Sequence, residues 1–349
     1  MKKFEKEDKW LLVSCLQKSI RKGFSDLALE YAEKLYELER SYLLYRLSII
    51  ALEDIGLGNV SLVNDFLSTE IKKANIEDKG GKDYVLKVVE DLSNSVKDRT
   101  ACDLMVLASY KNNILPNDKL EEIFLSSEHS LAERAFASWS ILGAKKQPHD
   151  SIEKKIDDIE LFLDTNKKLN ISEDILNIIK NGYKIHREFH FIAIGLLASQ
   201  LNLEKDFTIK GFKTGDIFER NFNANLVDNY WLIDGIDWHT KNGKSAIYDF
   251  CNTNSDTTKY LKSLNIPYNN LASVVGSLLF RAVGHQVDKR LIYASSIDVM
   301  KEIEDITFSQ FIPRENIREL KTIFNNDLEN LNIKIQKAMI KPNPMRFPF

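Results

Sequence analysis

The scarcity of helix-breaking residues constrains this chain more than any other feature. Its 349 residues include 14 glycines and 7 prolines, and three of the prolines lie in the last eight residues. In the long segments between them, apolar residues recur at intervals of three and four, as one face of a helix requires. Examples are Leu27, Ala28, Tyr31, Ala32, Leu35 and Leu38, followed by Leu43, Leu44, Leu47, Ile50 and Ala51. We therefore predict an all-α fold with Leu35, Leu47, Ile50 and Ile55 in its core, and only weak β-alternation, around Phe207 to Phe212.

The breaks in this pattern predict the domain organisation. A short connection at residues 39–41 favours antiparallel neighbours, and Gly80-Gly81 forms a loop within the same domain. Further breaks fall near residues 147–150 and in the Asn- and Gly-rich stretch 202–243. We predict an antiparallel helical bundle over 1–112, a helical continuation over 113–203, a carboxy-terminal helical domain over 204–340 and an extended tail over 341–349.

Composition indicates a soluble protein. The apolar fraction of 44% and the charged fraction of 28% are ordinary for a globular domain, and the net charge of -3 argues against a bulk field that attracts nucleic acid. The three cysteines are scattered, which fits a reducing compartment. The most apolar stretch, 189–201, is too short to cross a bilayer. We expect a cytoplasmic protein with no membrane partner.

Residues 14–59 carry a family resemblance. They contain Lys18-Ser19-Ile20-Arg21, then an Asp26–Tyr31 segment of the Asp-x-Ala-Leu-x-Tyr type, then an arginine-bearing helix that ends in Glu53-Asp54-Ile55-Gly56-Leu57. This run resembles the carboxy-terminal region of the RarA/MgsA family of AAA+ proteins, and residues 100–113 resemble a later helix of the same region. The resemblance covers about a third of the chain.

The resemblance implies a helical collar similar to that of clamp loaders. It also implies self-association, action at stalled replication forks and a single-stranded-DNA-binding protein as partner. The family's ATPase lies upstream of this region, where this sequence has 13 residues. Gly243-Lys244-Ser245 ends like a phosphate loop, but the preceding glycine is eight positions away and no buried strand leads into it. We expect no ATPase activity and no cofactor.

The acidic motif predicts a packing network. Glu53 and Asp54 lie at a helix end, where the macrodipole disfavours acids, so we expect a basic partner from Arg46 or Lys18. Gly56 or Gly58 is placed to close the helix. We group Lys18, Arg21, Arg46, Glu53, Asp54 and Gly56 as this network, with a ligand site as the alternative.

Histidines suggest a metal site as an alternative. His186 and His190 are four apart and share a helix face. His239 and His285, with Asp237 and Asp288, could complete a ligand set. Glu188 does not occupy the position that the HExxH pattern requires. Histidines that cap, pack or face solvent are the simpler interpretation.

The densest polar cluster of the second half surrounds residue 240. Thr240 or Asn242 is placed to cap a helix, and His239, Thr240, Lys241 and Lys244 could contact a phosphate or nucleic acid at its start. A capped, ordered loop is the alternative interpretation.

Three functions follow from these patterns. The first is a non-enzymatic helical assembly or adaptor protein in DNA replication or repair; an origin in a mobile element that kept a collar without its motor would explain the missing ATPase. The second is a metal-dependent hydrolase that uses His186, His190, His239 and Asp237. The third is a direct nucleic-acid binder that uses Lys18, Arg21, Lys22, Lys241 and Lys244.

Overall fold

A computed structural model describes residues 9–70, 73–110, 117–142, 163–164, 166–185, 189–211, 226–227 and 230–340. The predicted tail and the break near residues 147–150 lie outside these ranges. The fold is all-α, as predicted. The helices are α1 (Lys9–Lys22), α2 (Ser25–Ile50), α3 (Val60–Glu70), α4 (Lys73–Asp78), α5 (Lys82–Asn94), α6 (Thr100–Tyr110), α7 (Leu120–Leu125), α8 (Leu131–Leu142), α9 (Glu173–Ile185), α10 (Phe189–Glu204), α11 (Lys241–Cys251), α12 (Asp256–Ser263), α13 (Tyr268–Leu279), α14 (Ala294–Ser309) and α15 (Arg314–Ile340).

Four short strands, two π-helical turns and three 3-10 turns (Gly56–Asn59, Asn117–Lys119 and Ile233–Gly235) complete the described elements. β1 (Thr208–Lys210) pairs antiparallel with β4 (Arg290–Ile292), and β2 (Leu226–Val227) pairs antiparallel with β3 (Trp231–Leu232). The weak alternation predicted around Phe207 thus corresponds to a real strand. The π-turns, Ala51–Ile55 and Phe280–Gly284, directly extend α2 and α13.

The chain forms two compact units, each built from segments that are distant in sequence. The first unit comprises Met1–Leu43, Gly211–Asp288 and Thr307–Phe349, and the second comprises Leu44–Lys210 and Lys289–Ile306, so far as these segments are described. This division differs from the sequential one predicted from glycine and proline breaks. The reason is that two of the boundaries, after Leu43 and after Ile306, fall inside α2 and α14, which contain no glycine or proline.

The first unit packs α11, α12 and α13 against the long α15, and α1 against the turn that follows β3. Gly23 ends α1 in a left-handed conformation with φ 72°. The N–H of Phe24 donates to the Ser19 carbonyl at 2.9 Å, and that of Gly23 donates to the Ile20 carbonyl at 3.1 Å. This Schellman closure positions the basic end of α1.

The second unit packs α3 with α9, α9 with α10, α10 with α6 and α8, and α8 with α6 and α7. Leu47, Ile50 and Ile55 have no exposed surface there, and neither does Leu35 in the first unit. All four predicted core residues are therefore confirmed as buried. The predicted connection at residues 39–41 is a kink within α2, where Glu39 has φ -160° and ψ 76°.

One helical stretch, Ser25–Thr69, contains a window that is long and apolar enough to cross a membrane, and 56% of that window is buried inside the protein. Core helices of globular proteins meet the same criterion because they too are apolar on most sides.

Candidate functional site

In the first unit, the basic residues at the end of α1 lie in the interior. Lys18, Arg21 and Lys22 are 4%, 1% and 5% exposed. The Lys18 Nζ lies 2.7 Å from the Asp237 Oδ2, and Lys22 forms an ion pair with Asp234. Buried charges of this kind are tolerated only when paired. The prediction that these three side chains contact nucleic acid is therefore wrong, because they are shielded by internal partners.

Arg21 extends this cluster to the second π-turn. Its guanidinium donates to the carbonyl oxygen of Gly284, and its own backbone carbonyl accepts from the N–H of Asp288 at 3.0 Å. A π-turn widens the helix and leaves carbonyls without their usual i+4 partner. Arg21 thus satisfies a group that this local geometry exposes.

Asp237 connects the buried cluster to the surface. Its Oδ1 accepts from the backbone N–H of His239 at 2.9 Å and lies 3.2 Å from the His239 Nδ1. Burial acts to raise the pKa of the Asp237 carboxyl, but the Lys18 ammonium and the His239 contacts outweigh it and hold that pKa below its usual range. Asp237 is therefore a permanent anion at neutral pH.

His239 is the exposed member of this cluster, with 60% of its side chain accessible. Its ring meets the edge of Phe280 at a centroid distance of 5.3 Å, and Phe280 meets His285 at 5.8 Å. A carboxylate that holds one imidazole nitrogen leaves the other to solvent, an arrangement suited to proton transfer. Within the described residues, no group of three or more His, Cys, Asp or Glu side chains is placed to hold a metal ion.

The other two members of the predicted metal set cannot be placed beside these. His186 lies outside the described residues. His190 belongs to α10, but its side chain also lies outside them. The prediction that they share a metal site with Asp237 and His239 therefore stays a prediction.

Thr240 is the N-cap of α11, as predicted. Its hydroxyl accepts from the Gly243 N–H at 3.1 Å and donates to the Asp237 carbonyl at 2.9 Å, while its carbonyl accepts from the Lys244 N–H at 3.0 Å. A phosphate loop would instead leave such amides for the ligand. Lys241 is exposed, and the Lys244 ammonium lies 5.8 Å from the centre of the Trp238 ring.

The acidic motif lies in the second unit, on the first π-turn. Asp54 has no exposed surface and pairs with Arg99, which is equally buried; the Arg99 guanidinium also lies 3.4 Å from the Glu53 Oε1. The prediction that Lys18 supplies the basic partner is wrong, because Lys18 is paired with Asp237. Sequence reasoning missed Arg99 because a partner 45 residues away leaves no periodic signal.

Gly56 closes this π-turn as predicted. It has φ 47°, a conformation that side chains rarely adopt, and an added Cβ would lie 3.0 Å from the Asp98 carbonyl oxygen. The Asp98 N–H in turn donates to the Ile55 carbonyl at 3.1 Å. The motif therefore fastens the end of the α2 extension to the segment before α6.

A second polar network that sequence reasoning missed surrounds Asp98. Its carboxylate accepts from the Thr100 N–H at 3.0 Å and from the Tyr293 hydroxyl at 3.3 Å, and Arg290 lies 3.4 Å from Asp103. Burial raises the pKa of the Asp98 carboxyl. The run Lys97-Asp98-Arg99-Thr100 is entirely buried, although four consecutive polar residues are typical of a surface loop.

No family model matches the sequence, and the searches of curated proteins and of solved structures found no match either.

Proposed function

We propose that this protein is a non-enzymatic helical adaptor that assembles with itself and works in DNA replication or repair, in the cytoplasm. Its support is the resemblance of residues 14–113 to a collar region, with an antiparallel bundle as the expected arrangement. One structural observation carries the proposal: Asp54, in the most specific motif of that resemblance, is fully buried and paired with Arg99. A buried ion pair at the centre of the motif favours a scaffold role over a ligand site.

The other end of the resemblance supports the same conclusion. Lys18 and Arg21 are buried and pair with Asp237 and with the Gly284 carbonyl. Residues that act on a substrate must reach it, whereas residues that set packing geometry are enclosed. From the resemblance to a collar we therefore expect a scaffold that binds partners, including a single-stranded-DNA-binding protein, and that has no catalytic site.

The alternatives are less well supported. A hydrolytic metal would compete with the Lys18 ammonium for Asp237, 2.7 Å away. A direct DNA-binding protein could not use the three buried basic residues of α1 as phosphate contacts, which leaves Lys241 and Lys244 for that role. The Lys244 ammonium already lies over the Trp238 ring.

The proposal is tested by titrating the full chain into fluorescently labelled single-stranded DNA, bare and then coated with the host's single-stranded-DNA-binding protein. We expect binding to the coated DNA alone. Binding to bare DNA that weakens steeply between about 50 and 200 mM salt would favour direct phosphate contact. The variant Lys241→Glu/Lys244→Glu would then abolish it. An absence of binding to both forms would reject the adaptor role at DNA.

Asp54→Asn is the structural control in this assay. It removes the charge that pairs with Arg99 and should lower stability while leaving partner affinity within about threefold, if the motif is only structural. A loss of partner binding in a variant that remains folded would make the motif a binding site.

A further inference from the structure

β1 lies at the edge of the small sheet in the second unit, and its outer side has no partner strand among the described residues. β4 is buried and has neighbours on both sides: β1 on one, and Lys97 on the other, whose carbonyl accepts from the Leu291 N–H at 2.8 Å. β1 is exposed at all three residues and has only β4 as a neighbour among the described residues. Every second residue of such an edge directs its N–H and C=O away from the sheet, ready to pair with another strand.

Apolar side chains cluster at this edge. Leu203, Phe207 and Ile209 are 70%, 56% and 55% exposed, and they are three of the nine large apolar side chains that are exposed in the described part of the chain. Phe207 and Ile209 are two apart, so they share one face of the strand. Their concentration within seven residues marks this edge as an interaction surface.

We propose that β1 pairs antiparallel with β1 of a second copy of this chain, centred on Thr208. The proposal rests on the self-association that the proposed function includes, and it names the surface that mediates it. A two-fold axis perpendicular to the sheet leaves the same face of both strands on the same side of the sheet. Residues that pair directly must lie on the same face, so the only allowed registers are those in which one residue faces its own copy.

The charges select one of these registers. Centring on Thr208 places Asp206 opposite Lys210 of the partner subunit, and Phe207 opposite Ile209 of the partner subunit, each pair occurring twice. Asp206 and Lys210 are both exposed, and neither forms an ion pair within the described residues. Opposite charges and apolar pairs directly across two strands both stabilise pairing.

The neighbouring registers are poorer. Centring on Ile209 places Phe207 opposite a glycine, Gly211. Centring on Phe207 requires Glu204 to face Lys210, but the Glu204 carboxylate already accepts from the Ser295 N–H at 3.1 Å and from its hydroxyl. Only the Thr208-centred register combines both kinds of favourable pair.

Charge reversal provides the test. Sedimentation of the full chain from about 1 to 100 µM should show a dimer, and Asp206→Lys or Lys210→Asp should each raise its dissociation constant about tenfold, since each places like charges opposite one another twice. The double variant Asp206→Lys/Lys210→Asp should return it to within about threefold of the wild type. Asp164→Lys, an equally drastic change at another exposed position of the second unit, should have no effect.

Symmetric cross-linking tests the register. Thr208→Cys should form an oxidised dimer because residue 208 faces itself, whereas Lys205→Cys should not because residue 205 faces Gly211. Burial raises the pKa of the Cys15 and Cys251 thiols to about 12, which keeps their own reactivity low. The wild type under the same oxidant measures the background from Cys102.

The outcomes separate this inference from the adaptor role. A monomer at all concentrations, a dimer insensitive to both reversals, a double variant that fails to recover, or equal cross-linking at positions 205 and 208 would each overturn the pairing. Binding to coated DNA is measured independently. If it persists while the pairing fails in a protein that still dimerises, the adaptor proposal stands; if it persists in a monomer, the adaptor proposal loses only its self-association. If the pairing holds while that binding is absent, the adaptor proposal falls alone.

Discussion

Removal of the Arg99 guanidinium should destabilise the second unit severely. Arg99 and Asp54 have no exposed side-chain surface, while Glu53 keeps 18%. Arg99→Met fills much of the same volume but removes the Arg99 charge from the buried Asp54 carboxylate. Breaking a buried ion pair from one side typically costs about 3–5 kcal/mol, and we expect a loss in that range because Asp54 has no route to water.

Two further variants identify the cause of that loss. Arg99→Lys retains the charge, but one ammonium cannot reproduce the planar contacts to Asp54 and Glu53, so about 1–3 kcal/mol should be lost. Arg99→Met with Asp54→Leu removes both charges and should recover most of the stability. Lys87→Met breaks exposed ion pairs with Glu90 and Asp91 and should leave the urea midpoint nearly unchanged.

Urea denaturation followed by circular dichroism gives the free energies of unfolding. Hydrogen exchange of peptides covering 45–59 and 96–110 localises the change, with peptides from α15 in the first unit as internal reference. A cost below about 1 kcal/mol for Arg99→Met, or a double variant less stable than the single one, would refute the reasoning that the motif is a buried electrostatic clamp.

Four further predictions follow from other sites. Leu47→Ala, at a position with no exposed surface, should cost about 2–5 kcal/mol of unfolding free energy in the same urea assay, and a cost under about 1 kcal/mol would contradict its place in the core. Gly243→Ala should lower the melting temperature because its Cβ would lie 1.9 Å from the Asp237 carbonyl oxygen, whereas Gly211→Ala, with nothing within 4 Å, should leave it unchanged. Because the pKa of Asp237 is lowered in the folded state, its contribution to stability is present above the ordinary carboxyl pKa of 3.8 and is lost as the pH falls from there through the lower folded-state pKa. Asp237→Asn should be less stable at pH 7 and lose less on acidification, and parallel pH profiles of melting temperature would refute this. ATP should cause no thermal stabilisation, since the Gly243 and Lys244 amides are used by Thr240, and a stabilisation that Lys244→Ala abolishes would show a nucleotide site.

Sequence patterns predicted the elements whose cause is local. Helices follow from apolar periodicity and the absence of breakers, the Thr240 cap follows from a hydroxyl placed before an amphipathic run, and Gly56 follows from the need to close a helix. Each depends on residues within one or two turns, so a single sequence contains the information.

The pairs that organise the candidate sites were not predictable in this way. Asp237 is 219 positions from Lys18 in the chain, and Asp54 is 45 from Arg99, so nothing in local spacing relates the partners. The two units escaped prediction for a related reason. α14 and the part of α2 that follows its kink at Glu39 each cross a unit boundary, whereas glycine and proline breaks mark only where helices end.

The two π-turns share one structural role. In each, a helix is extended by a widened turn, and a carbonyl at its end accepts from a segment distant in the chain: Ile55 from the Asp98 N–H, and Gly284 from Arg21. π-Turns often occur at functional sites because they displace backbone groups from the helical ladder. Here the displaced carbonyls are occupied by the protein itself, in buried surroundings where a ligand has no access. Groups available to a partner must therefore be sought on the exposed features. The best defined of these are the outer edge of β1, which has no second partner strand among the described residues, and the imidazole of His239 that Asp237 holds.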